Sequence, residues 1–328
     1  MTNFSPSATD AITALVADVG GTNTRVALTM GKQVIETTVQ RFENDKFPSL
    51  DAVLARYLQE RQGVKPLAAC VAIAGPVRDG RAVMTNLGWS MDKAGLAAVT
   101  GAKVVAILND LQAQGHALGH ISLEKIRILT PFSTENAHAA KLVIGVGTGF
   151  NAAPVFDTAS GRFVPPSESG HVNLPIRDEA DLALGLFVAA AKGYPSVEDV
   201  LSGRGLEAVY RWLVDRAGTG AERPAHDIMT SVSIGDDPVA TESARILTRI
   251  LAAVAGNLAL IQLPFGGVYL VGGVARSLAP YLESFGFAAA FRDKGRFSAF
   301  MDNFGVGVIE DDYAALSGCA AHLAGLGG

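Results

Sequence analysis

The chain has 328 residues, 49% of them hydrophobic and 18% charged, with a formal net charge of −5 at pH 7. That length and apolar fraction supply cores for roughly two domains. The acidic balance, with no long basic run, argues against a nucleic-acid partner, because phosphate binding needs a basic face.

Residues 15–19 are predicted as a strand, and 25–28 return beside it after the Gly20-Gly21 turn. A third strand is expected over 33–42. Leu50, Val53, Leu54, Tyr57 and Leu58 share one helical face within 49–62. Residues 68–74 form a buried strand that ends at Gly75-Pro76, a strong turn signal. A short helix over 91–99 precedes a strand at 104–108, which closes on Asn109-Asp110 and gives way to a helix running towards His120. At Leu142 the sequence of strand, glycine turn and strand begins again. Helices are expected over 179–192, 203–217 and 239–262, with 217–237 as a connection rich in turn residues. Residues 268–271 read as a strand with a helix at 274–282 behind its glycines, and 312–326 as a closing helix.

Cys70 and Cys319 lie in apolar, small-residue surroundings that suit buried thiols and cannot make a disulfide framework. The polar amino-terminal lead lacks Lys and Arg, and no run approaches the ~20 apolar residues of a membrane span. The expected setting is cytoplasmic, with no membrane partner. His116 and His120 are four apart on the expected helix, but no Glu follows His116, so the zinc-protease pattern fails. The echo between the two halves predicts two α/β lobes. Each is a mixed β-sheet flanked by helices, with a cleft between them. The smaller lobe is expected to take 1–109 plus 312–328, and the larger 110–311.

Three apolar runs break into glycine turns. Gly20, Gly21, Thr22 and Asn23 follow the first, and glycine lets a backbone wrap an anionic group. Asp18, near the end of that strand, is placed to hold magnesium, through water, or else to satisfy the amides of a simple hairpin. The second turn carries Gly147, Thr148 and Gly149. It lacks the Lys-Ser/Thr ending of a P-loop and misses the dinucleotide spacing by one residue. Gly272 and Gly273 form the third. It can take a phosphate at a helix start, let a flat base lie on the backbone, or simply link strand to helix. Asn109-Asp110 ends a buried strand, where side chains face a cleft in open α/β sheets, and both residue types are also common helix caps.

Taken in order, DVGGTNTR, LNDLQA, GVGTGF, ESGHV, EDVLSGRGL, LVGGVA and FRDKGRF resemble the bacterial glucokinase family. These are hexokinase-type sugar kinases of the actin-like ATPase superfamily. The resemblance runs from about Leu15 to the last helix. It implies the two-lobed actin-like ATPase (ribonuclease H-like) fold and transfer of the γ-phosphoryl of ATP to the 6-hydroxyl of glucose, with Mg²⁺, giving glucose 6-phosphate and ADP. It makes Asp110 the general base, with Asn109, Glu168, His171 and Glu198 on the sugar hydroxyls. The phosphates then lie across Gly20–Asn23 and Gly147–Gly149, the adenosine lies near Gly272–Val274, and a homodimer is expected.

Ser169 stands where the family more often has glycine, and serine tolerates a positive φ poorly. Asp199, next to Glu198, is a rival for its role. No chemistry is assigned to Lys294 or Arg296. Other readings are a kinase for another hexose or an amino sugar, a non-catalytic sugar-responsive regulator, and an actin-like ATPase. The last has no use for the ESGH and EDVLSG clusters.

Overall fold

The computed structural model describes residues 14–61, 64–84, 87–132, 138–218 and 220–326. The polar lead ahead of Ala14, and Gln62 at the end of the first expected helix, lie outside them. The chain divides into two compact units. One takes residues up to Ser122, Thr158–Pro166 and Asp311 onward; the other takes Leu123–Asp157 and Ser167–Glu310.

In the first unit the sheet runs Gln33–Val34, Asn23–Met30, Ala14–Val19, Ala68–Ile73, Val104–Asn109, and Gln40–Glu43 also pairs with Asn23–Met30. Ala14–Val19 is antiparallel to Asn23–Met30 but parallel to Ala68–Ile73, which is parallel in turn to Val104–Asn109. The register aligns Val19 with Ile73 and Ile73 with Asn109, so three strands end at one edge. Parallel strands are covered on both faces, which is why these runs are almost continuously apolar. One face packs on Leu50, Val53, Leu54 and Tyr57 of the helix Leu50–Gln59. Ser49 caps that helix, its hydroxyl accepting from the Ala52 amide at 3.3 Å. The other face presents Val16, Cys70, Ala72 and Ala106 to Ala315, Leu316, Cys319 and Ala320 of the helix Ala314–Leu326. Cys70 and Cys319 are both buried, and burial pushes the Cys319 thiol up.

The helix Asp110–Ala117 belongs to this unit too, although the sequence placed it with the larger lobe, because it packs along Ala314–Leu326. A Cβ added to Gly318 would sit 1.7 Å from the Ala113 carbonyl, so the two backbones touch there. The helix stops at Ala117, earlier than expected. His116 packs its ring against His322 with centroids 4.5 Å apart.

Two departures have local causes. The expected strand 33–42 is broken by a 3-10 turn, Glu36–Thr38. The Thr38 hydroxyl donates to the Ile35 carbonyl at 2.6 Å and accepts from the Leu28 amide at 2.9 Å, competing with the strand ladder. Residues expected to begin a helix at 91 instead close a three-stranded sheet of Val77–Arg78, Arg81–Met84 and Trp89–Asp92. Asp92 then caps the helix Lys93–Thr100.

The second unit's sheet has the order Ile126–Thr130, Val306–Ile309, Val268–Val271, Lys141–Val146, Phe150–Thr158. Lys141–Val146 and Val268–Val271 are parallel, with Gly145 opposite Val271, so the second and third glycine turns leave adjacent strands at the same edge. Around it lie Glu179–Lys192, Gly203–Ala217 and Pro238–Gln262. The last, 25 residues long, is the one described helix long and apolar enough to cross a membrane. Yet 61% of its most apolar stretch is buried in the fold, as in a core helix. The expected connection 217–237 holds the helix Ala225–Ile234, which buries Ile228, Ser231 and Val232. The helix expected to reach 282 stops at Leu278.

Two stability outcomes follow from the helix pair in the first unit. Gly318→Ala drives a methyl into backbone and should cost about 1–3 kcal/mol by chemical denaturation. Gly325→Ala, whose Cβ meets nothing within 4 Å, should leave stability unchanged or raise it. Burial, with a smaller contribution from Lys93, lowers the His322 pKa below its ordinary 6.5. The unfolded chain therefore binds the extra proton first. Stability should fall as pH drops through 6.5 towards the lower folded value, and His322→Asn should flatten that slope in pH-dependent melts.

Candidate active site

In the first unit the shared strand edge carries both the first glycine turn and Asn109-Asp110. Adjacent strands lie about 4.8 Å apart, which puts the ends of Ala14–Val19 and Val104–Asn109 about 10 Å apart, with Ile73–Gly75 between them. The turn is closed by the Gly20 amide donating to the Asn23 carbonyl at 2.9 Å. Gly21 and Thr22 are exposed. Arg25 sits opposite Asp18 across the hairpin, its guanidinium 3.5 Å from the Asp18 carboxylate.

Asn109 is the N-cap of Asp110–Ala117: its side-chain oxygen accepts from the Leu111 amide at 2.9 Å, and Gln112 closes the capping box. Its Nδ2 donates to the Gly75 carbonyl at 3.0 Å, tying the cap to the neighbouring strand end. Asp110 is the first helical residue and is half-buried, and its Oδ1 accepts from the Leu111 amide at 2.8 Å. The carboxylate is thereby oriented at the helix start by the Leu111 amide.

The second unit gathers Glu168, His171 and Glu198 around the second glycine turn. The Glu198 Oε2 accepts from the Phe150 amide at 2.9 Å, and Arg204 lies 3.7 Å from Oε1. A Cβ on Gly149 would fall 2.5 Å from that carboxylate, so glycine is required for Glu198 to reach its amide. The Glu198 amide donates to the Gly170 carbonyl at 2.9 Å, which fastens the loop of Glu168 and His171 to the same knot. Glu168 and His171 are themselves exposed. Asp199, the rival, is committed elsewhere: it accepts from the Ser196 hydroxyl at 2.5 Å and the Ser196 amide at 3.1 Å.

Ser169 adopts no positive φ. Among the described residues only Asp79 and Leu263 are non-glycines with positive φ, and Ser169 opens a 3-10 turn, Ser169–His171. Its amide and hydroxyl both donate to Asn151 Oδ1, at 3.0 and 3.1 Å, and Asn151 Nδ2 donates to the Ser167 carbonyl. Sequence reasoning missed Asn151 and Arg204; their only signal was their place beside GVGTGF and EDVLSG.

The second and third glycine turns meet. A Cβ on Gly147 would lie 3.9 Å from the Gly273 amide, while Gly272 has φ +101° and presses on the Val146 carbonyl. Thr148 and Gly273 are exposed. Beside Glu198, Ser202 and Arg204 opens a cavity of about 540 Å³, a size suited to a small polar ligand.

The model of the glucokinase family matches residues 15–326. A glucokinase of Saccharophagus degradans is 33% identical over 313 residues, covering 94% of this chain and 97% of the relative. The crystal structure of a glucokinase from an Antarctic psychrotroph is 28% identical with a TM-score of 0.83, covering 94% of this chain and 98% of that one. A glucokinase of Balamuthia mandrillaris, solved with glucose, shares the fold at 21% identity and TM-score 0.81, covering 96% of this chain and 94% of that one. Two mixed sheets flanked by helices, with glycine turns at their strand ends, form the actin-like ATPase fold, and the family match and the curated relatives make the chain an ATP-dependent hexose kinase. Within that class, the chain belongs to the glucokinase family.

Ser169→Ala removes one of the three bonds between Asn151 and the loop of Glu168 and His171, and Asn151→Ala removes all three. Steady-state kinetics should show the KM for the sugar rising a few-fold in the first and about 10-fold in the second, with the KM for ATP unchanged.

Proposed function

We propose that this chain transfers the γ-phosphoryl of ATP to the 6-hydroxyl of glucose, with Asp110 as general base. The observation that carries the reading is the strand register of the first unit, which ends the glycine turn and the Asp110 strand at one edge. Phosphoryl transfer asks little covalent chemistry of a protein; it needs positioning, charge neutralisation and a proton acceptor. Asp110, oriented by the Leu111 amide, takes the proton of the 6-hydroxyl as that oxygen attacks the γ-phosphorus. The P–O bond to ADP breaks as the new one forms.

Asn109 keeps its cap and Gly75 bonds and offers its remaining hydrogen-bonding capacity to a sugar hydroxyl. Glu198, held by the Phe150 amide, accepts from ring hydroxyls, and Glu168 and His171 act on their neighbours. Such bonds to charged acceptors contribute about 1.5–3 kcal/mol each. Gly20, Gly21, Thr22 and Asn23, with Gly147, Thr148 and Gly149, receive the phosphates, and Gly272 and Gly273 let the adenosine approach the backbone.

Asp18 suits magnesium as a hard, half-buried oxygen donor, and one carboxylate is enough for an ion that takes its other ligands from phosphate and water. When bound, the ion neutralises charge on the phosphate oxygens. A cytoplasmic setting and homodimerisation are both carried from the family resemblance.

A coupled assay of wild type and Asp110→Asn across glucose, mannose, fructose and N-acetylglucosamine tests the reading. Glucose should be preferred. Asp110→Asn should lose about 10²–10⁴ in kcat, or about 3–5 kcal/mol of barrier, with glucose binding preserved. Full activity of the variant would remove the base, and a clear preference for another sugar would overturn the substrate.

A further inference from the structure

Asn44 is 1% exposed, and no motif marks it. It follows the strand Gln40–Glu43 and opens the 3-10 turn Asn44–Lys46. Three of its polar groups go to one place. Its amide donates to the Thr22 carbonyl at 2.9 Å, its Nδ2 donates to the Gly20 carbonyl at 2.8 Å, and its Oδ1 accepts from the Thr24 hydroxyl at 2.8 Å. Thr24 is fully buried, so that hydroxyl has little alternative in water.

A trans peptide is planar, so a carbonyl held in one direction sends the N–H of the same peptide the opposite way. By fixing the carbonyls of Gly20 and Thr22, Asn44 turns the N–H groups of Gly21 and Asn23 away from itself. A Cβ on Gly21 would meet nothing within 4 Å, and Gly21 has no left-handed φ, so neither protein packing nor backbone strain accounts for glycine there.

We infer that Asn44 is a positioning residue for the phosphoryl donor: it sets the amide directions of Gly21 and Asn23 so that the turn is already shaped for the phosphates of a nucleoside triphosphate. The inference rests on reading Gly20–Asn23 as a phosphate turn. A polar side chain that merely stiffened the hairpin would affect stability and both substrates alike. One that aims amides at phosphate affects ATP alone, because preorganisation removes a cost that only the phosphate-bearing ligand meets.

The test compares Asn44→Ala, Thr24→Val and Gly21→Val with wild type. The readouts are KM for ATP and for glucose, equilibrium affinity for ATP and for adenosine, and thermal melts. Asn44→Ala should raise the KM for ATP about 10-fold, leave the KM for glucose within about twofold, and weaken ATP but not adenosine. Thr24→Val, isosteric and one hydrogen bond poorer, should move the same readouts less, and it carries the test should Asn44→Ala fail to fold. Melting temperatures that fall with both KM values unchanged, or rising together, would overturn the inference. Gly21→Val separates the two layers. An unchanged KM for ATP there removes the phosphate reading, and the inference with it. A raised one, with the Asn44 and Thr24 variants kinetically like wild type, sinks the inference alone.

Discussion

The parallel register between Ala14–Val19, Ala68–Ile73 and Val104–Asn109 is the constraint on which the first unit depends. It aligns three strand ends, so one edge of a buried sheet presents a glycine turn, the Gly75 carbonyl and Asn109-Asp110 together. A slip of one residue would turn every side chain to the opposite face and take Asp110 out of its helix start. The register is protected because both faces are packed, one against Leu50–Gln59 and the other against Ala314–Leu326. The second of these helices also grips the Asp110 helix backbone to backbone, through Gly318. The helix Ala314–Leu326 thus holds the Asp110 helix in place against the sheet.

The second unit solves a related problem with backbone amides. Glu198 is drawn in by the Phe150 amide, which requires glycine at 149, and the amide of Glu198 itself secures the loop that carries Glu168 and His171. Asn151 supports the same loop from the strand side. Exposed side chains such as Glu168 and His171 therefore stand on a rigid base, the condition under which a binding loop holds its geometry.

Much of this was legible in the sequence because it is written in short-range code. Apolar runs ending in glycine gave the strands and turns, and the order of the motifs gave the family and both sets of candidate site residues. What escaped depends on partners far along the chain. Nothing local says that Thr38 will break a strand, that 225–234 will bury a helix face, or that the Asp110 helix pairs with the last helix. Asn44 and Asn151 are single asparagines, only the second beside a glycine motif, and their bonds exist only once residues some twenty positions away come back to them. Asp199 and Glu198 were indistinguishable by position; in the fold Asp199 bonds Ser196 while Glu198 takes the Phe150 amide.

In the proposed reaction the carboxylate at position 110 takes a proton from a sugar's primary alcohol. A crystal structure with glucose and a non-hydrolysable ATP analogue tests it most directly. An Asp110 oxygen is expected within about 3 Å of the sugar O6, with O6 in line for attack on the γ-phosphorus. An Asp110 side chain bonded only to the amides of its own helix, with O6 directed elsewhere, would contradict it.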